Sequence, residues 1–156
     1  MNPQKYYPMQ GSRAFATVTL PVTKSFRVNF ENGTVTGVKT LAHFSAGSRI
    51  LGFQCKVNTA FTSVGSLTIQ AGFSVTTSGS MSSSAIGKAT LVADYIFGPS
   101  TTYVKAPQLL TSADDFDLDV GTTTVTTGQL DVHVTYIPPP DGDIIEGDLF
   151  ETFDVT

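Results

Sequence analysis

The sequence holds one cysteine, Cys55, and no tryptophan. A lone cysteine excludes an internal disulfide framework and a cysteine-based zinc site. Without tryptophan, the broadest stacking platform for a sugar ring is missing. Charged residues make up only 14% of the chain, against about 25% in an average soluble protein. No stretch approaches the roughly 20 apolar residues of a membrane span. The opening residues MNPQKYYPMQGS lack the apolar core of a secretory signal, so synthesis in the cytoplasm without Sec export is expected. His43 and His133 are isolated, with no HxH or HExxH spacing, and there is no P-loop, no G-x-S-x-G elbow and no G-x-G-x-x-G after a strand. These absences predict no enzymatic activity and no cofactor. The N-terminal arm holds only Lys5 and Arg13, too few bases to neutralise many phosphates, so nucleic acid is not an expected partner.

What is present is unevenly spread. All nine basic residues lie at or before Lys105, where only Glu31 and Asp94 oppose them, giving +7. Residues 106–156 carry eleven acids and no base, giving −11. The two signs either neutralise each other within one fold or meet between copies.

Alternation of period two dominates, which places one set of side chains inside and the other in water. Phe26, Val28 and Phe30 alternate with Ser25, Arg27 and Asn29; Leu51, Phe53, Cys55 and Val57 with Gly52, Gln54, Lys56 and Asn58. The same holds for Leu67, Ile69, Ala71, Phe73 and Val75, for Phe116, Leu118 and Val120, and for Leu130, Val132, Val134 and Tyr136. Cys55, between Phe53 and Val57, reads as a small core residue. Asn32-Gly33 is a strong hairpin signal. Ser45 to Ser48, Ser63 to Gly65 and Gly98 to Ser100 read as loops, and Gly121 to Gly128 encloses a short strand or a long hairpin. Eight or nine strands and no amphipathic helix predict an all-β, antiparallel β-sandwich or barrel. The expected division is an extended arm over 1–14, a sandwich over 15–137 and a Pro-led acidic tail over 138–156. The expected core contains Phe26, Val28, Phe30, Leu51, Phe53, Cys55, Val57, Leu67, Ile69, Phe73, Leu118, Val132 and Val134.

Two segments carry candidate sites. On a strand, Asp115, Asp117 and Asp119 project from one face with neighbours about 7 Å apart, a weak candidate for calcium. The plainer reading is a solvated face paired with bases across the ladder. After Pro138-Pro139-Pro140, the tail DGDIIEGDLFETFDVT sets Ile144, Ile145, Leu149, Phe150 and Phe153 among six acids. Apolar residues at such intervals are expected to pair with a sheet edge or lie in a groove of another subunit. The triproline is expected to hold the tail away from its own sandwich.

Residues 44–72, FSAGSRILGFQCKVNTAFTSVGSLTIQAG, and 126–139, TTGQLDVHVTYIPP, resemble a family of small tailed-bacteriophage virion proteins. The shared pattern is a loop ending in a small-Gly pair, a strand, a short Gly turn, an L-x-I-x-x-G strand and a closing G-x-L-x-V-x-V-x-Y strand. Here Leu67, Ile69 and Gly72 fill the first of these strand patterns, and Gly128, Leu130, Val132, Val134 and Tyr136 the second. Proteins similar to this are head decoration (cement) proteins or modules of head and tail fibres. The resemblance implies a jelly-roll-type β-sandwich, a homotrimer, no enzymatic activity and no agreed binding residues. It implies a structural protein of the capsid surface, made in the host cytoplasm, with the major capsid protein as partner and neither nucleic acid nor membrane. A fibre, neck or baseplate component or receptor-binding module shares the fold and is the alternative. A small sandwich enzyme or a non-viral binding module is the third reading.

Overall fold

Alternating β-branched and aromatic residues build strands because each strand buries one face and wets the other. The computed structural model describes residues 20–33, 36–73, 81–100, 107–121, 124–140 and 150–155. Ten strands follow in order: β1 (Val22–Gly33), β2 (Gly37–Phe44), β3 (Arg49–Ser63), β4 (Thr68–Phe73), β5 (Ile86–Gly87), β6 (Ile96–Phe97), β7 (Gln108–Leu109), β8 (Asp114–Gly121), β9 (Val125–Ile137) and β10 (Phe150–Val155). Apart from a single 3₁₀ turn at Lys88–Thr90, the described residues hold no helix. The larger sheet, A, has the order β10-β1-β9-β3-β6, with β7 also on β3; the smaller sheet, B, runs β2-β8-β4-β5. All pairings are antiparallel except that of β10 with β1. The result is the expected sandwich of two antiparallel sheets.

The inner faces meet through rings. Phe53 of sheet A and Phe116 of sheet B lie edge to face at 5.0 Å between centroids, and Phe44 of sheet B meets Tyr136 of sheet A at 4.9 Å. Such T-shaped pairs add to what area burial alone contributes. Phe73 links Phe44 and Phe116 in the same chain of rings. Phe26, Val28, Phe30, Phe53, Cys55, Val57, Leu67, Ile69, Phe73, Leu118, Val132 and Val134 are all buried, as the alternation predicts.

Three expectations change. Leu51 is only partly buried and Ile50 is fully buried in its place. The register of β3 on β9 shifts between Ile50 and Gly52, and one extra residue reverses which side chain faces in. Asn32-Gly33 makes no hairpin: β1 belongs to sheet A and β2 to sheet B. Of the two readings of Gly121 to Gly128, the hairpin fails because β8 and β9 lie in different sheets, and β9 begins within the segment at Val125. Turn chemistry governs the local bend, but burial decides which sheet each strand joins.

Two glycines are required by their surroundings. Gly128 on β9 lies under Phe61, and a Cβ there would come within 2.5 Å of the ring. Gly72 has φ +152°, and its Cβ would fall on the backbone of Ser82. That contact lets residues 81–83 lie against β4, where Phe73 N–H donates to Met81 and Ser83 N–H donates to Ala71.

The two long edges differ. β1 pairs with β9 in unbroken register from Val22↔Tyr136 to Gly33↔Val125. β2 forms the outer strand of sheet B and carries an irregularity between Thr40 and Ala42 where it meets β8. Residues 1–19 and 141–149, which include the expected N-terminal arm, lie outside the described residues.

Candidate functional site

The outer face of sheet A is a ladder of paired polar groups. Arg27 on β1 faces Asp131 on β9, its Nε donating to Oδ1 at 2.7 Å and its Nη2 to Oδ2 at 2.8 Å. This fork is the strongest common geometry for such a pair. Asp131 is held below the usual carboxylate range, first by the hydrogen bond from Arg27 and also by the charge of that guanidinium, against the opposing effect of burial. Its contribution to stability is therefore complete above its unfolded pKa and is lost as pH falls through the depressed folded value. One row away, Ser25 Oγ and His133 Nδ1 lie 2.8 Å apart. Gln129 Nε2 donates to Asn29 Oδ1, and Lys56 reaches Asp94 at 3.0 Å. Arg27–Asp131 joins the basic and acidic parts of the sequence inside one fold.

Sheet B carries the carboxylate row. Asp115, Asp117 and Asp119 alternate along β8 with the buried Phe116, Leu118 and Val120. Across the ladder, Asp115 pairs with His43 and Asp117 with Thr40, while Asp119 lies between Val38 and Gln70 in register. His43 Nδ1 donates to Asp115 at 2.5 Å, and Thr40 Oγ1 donates to Asp117 at 2.7 Å. Asp117 is pushed above the ordinary carboxylate range, chiefly by burial, against the pull of Thr40. The row's cross-strand partners are thus a histidine and a hydroxyl where the sequence suggested Lys or Arg. No group of three or more His, Cys, Asp or Glu side chains placed to hold a metal occurs among the described residues. The carboxylates follow one another along a strand, whereas a calcium site needs six to eight converging oxygens.

Cys55 is fully buried, and burial raises its thiol pKa far above the ordinary value. A thiol so held is not a nucleophile at neutral pH. His43 and His133 lie in different sheets with different partners, so no nucleophile–base pair forms from these three residues.

Of the tail residues, Ile144, Ile145 and Leu149 lie outside the described residues. Phe150 and Phe153 lie on β10, in register with Ser25 and Val28 of β1. The tail does pair with a sheet edge. That edge is β1 of its own sandwich, where the triproline was expected to hold it away. Pro139 instead turns back over the body, its Cβ lying 3.1 Å from where a side chain on Gly47 would begin. The signal that could have found this edge is the long regular run of β1 itself.

No protein-family model matches the sequence, and no curated protein matches it. Solved structures do. A chain of the acidic stable capsid structure of Helicobacter pylori bacteriophage KHP30 is similar over 77% of this chain and 93% of its own, with TM-score 0.53 and 14% identity. A chain of the cyanophage Pam1 capsid asymmetric unit matches over 76% and 85%, with TM-score 0.52 and 18% identity. A chain of the capsid of Ralstonia phage GP4 matches over 88% and 90%, with TM-score 0.53 and 10% identity. At these identities the likeness establishes a common fold.

Proposed function

We propose that this chain is a structural virion protein of a tailed phage, a capsid decoration protein that binds the outer head surface and stabilises contacts between coat subunits. The observation that carries the reading is the fold shared with chains of three phage capsid structures, over most of this chain and most of each of those. The surface supports it: exposed polar groups are paired along strand ladders, and no catalytic constellation is assembled from the histidines and the cysteine. The packing of a six-stranded sheet on a four-stranded one, both built from non-consecutive strands, is compatible with a jelly-roll type of sandwich.

In this reading the sandwich over 15–137 is the body, and the arm (1–14) and the tail (138–156) are attachments. Ile144, Ile145, Leu149, Phe150 and Phe153 make the tail a partner-binding segment. The assembled form is a homotrimer seated on the major capsid protein, whose cyclic symmetry leaves no open contact. Quantitative mass spectrometry of purified virions, with image reconstruction of the heads, tests the proposal. A copy number comparable with that of the coat protein, and density outside the shell, is the expected result. A few copies at the tail would instead favour a fibre, neck or baseplate component. Absence from the virion would overturn both readings.

A further inference from the structure

Without β10, sheet A would end at β1, a strand of twelve residues whose register on β9 shows no shift. A straight edge of this length presents a row of backbone N–H and C=O groups to any extended segment nearby. β10 covers six of its residues, from Ser25↔Phe150 to Phe30↔Val155, in parallel register. The chain leaves β9 at Ile137, beside the Val22 end of β1, and β10 begins opposite Ser25. Those points are separated by two strand spacings and about three residues of rise, roughly 14 Å in all. Residues 138–149 make the connection, and twelve residues can span up to about 40 Å. The link is nearly three times longer than pairing with the chain's own edge requires.

We propose that β10 is exchanged between copies: β10 of one subunit pairs, in the same parallel register, with β1 of its neighbour. The inference rests on the oligomeric reading above and names the contact that closes the oligomer. The backbone hydrogen bonds and the register are the same in the closed and exchanged forms, so the exchange sacrifices no contact. What differs is the linker and the local concentration of edges, and a neighbour held within reach raises that concentration to the millimolar range. Charge favours the encounter. The donor segment carries Asp141, Asp143, Glu146, Asp148, Glu151 and Asp154, and the acceptor strand carries Lys24 and Arg27 against Glu31, a net charge of +1, with Arg27 also paired to Asp131. The partner is thus a second copy of this chain, recognised by strand addition.

Two full-length variants with one added cysteine each, Asn29→Cys and Asp154→Cys, test the exchange, because these positions lie opposite each other in the β1–β10 register. Cys55 is buried and can remain. The two variants are co-expressed, oxidised mildly, alkylated and run on a non-reducing gel. A covalent heterodimer that neither variant gives alone is the expected result. The double variant in one chain should give a ladder ending at the size of the oligomer. Monomer only, from both the mixture and the double variant, overturns the exchange, whether or not the disulfide has closed within the chain. The decoration reading fails separately. A protein that stays monomeric on the gel yet is present on heads at coat-like copy number loses the exchange and keeps that role.

Discussion

Strand β1, which β10 covers in sheet A, and the outer strand β2 of sheet B solve the same problem in opposite ways. β2 is eight residues long, carries Lys39, and breaks its register between Thr40 and Ala42. A short, charged, irregular edge offers little to another strand. β1 is half as long again, keeps its register throughout, and has β10 laid along it. One edge is protected by its own shape and the other by a strand from the far end of the chain. The acidic tail thus completes the sandwich at the point where the body's own strands leave it open.

Both edges belong to one cooperative body if the ring contacts between the sheets hold it together. Phe116 is fully buried between Phe53 and Phe73, so Phe116→Ala should cost about 3–5 kcal/mol. Urea denaturation followed by circular dichroism should show one transition at a lower midpoint. Two separate transitions would mean that the sheets, and their edges, unfold independently.

A smaller effect sharpens the account of β1. Gly128 pairs with Phe30 of β1 and lies under Phe61. Gly128→Ala drives a methyl group into that ring and should cost about 1–3 kcal/mol. Amide exchange should quicken along β1 and β9 while β2 and β8 keep their protection. Equal loosening in both sheets would show that the β1 edge is not separately held.

The smallest effect concerns β2. Asp117 accepts a hydrogen bond from Thr40 beside the irregularity of that edge, and burial raises its pKa. A carboxyl raised in the folded state contributes its full stability below the unfolded pKa and loses it as pH rises through the folded value. Asp117→Asn keeps an acceptor for Thr40 and cannot ionise. It should be more stable than the parent at pH 7, by no more than about 0.5 kcal/mol at this half-exposed site. The gain should vanish below about pH 4 in denaturation midpoints. A loss at neutral pH would show that the charge itself holds the β2 edge in place.

Much of the fold was legible because period two is a local signal. Phe26, Val28 and Phe30, or Leu130, Val132 and Val134, announce a buried face without reference to any partner strand. Leu51 was misread because a register shift leaves no mark in the alternation on either side of it. Phe44, Phe61, Met81, Leu91, Phe97 and Leu110 are also core residues. They lie at or near strand ends and in loops, and three of them sit beside a second apolar residue (Leu91-Val92, Ile96-Phe97, Leu109-Leu110), so no period marks which one is buried. The Asn32-Gly33 signal describes a bend correctly, but pairing is a long-range property and the strands on its two sides go to different sheets. In the candidate site, the row of Asp115, Asp117 and Asp119 was visible, whereas the placing of His43 and Thr40 opposite it depends on the β2–β8 pairing. The tail's apolar spacing pointed to a sheet edge or groove of another subunit, whereas β10 lies on β1 of its own sandwich.

Among the described strands through β9, β4 and β5 are the only sequence neighbours that pair directly. For β1 this sets a timetable during synthesis. Val22 waits for Tyr136, more than a hundred residues later, which at ribosomal speed is about 5–20 s. Until then a twelve-residue strand stands with both sides unoccupied, and its last covering, β10, is translated later still than β9. Nascent chains crowded on one message therefore pass through a stage in which the same edge that later receives a tail can receive a stray strand. Slowing the ribosome within residues 34–124 should lower the soluble yield more than slowing it after Ile137, with no change in the finished protein.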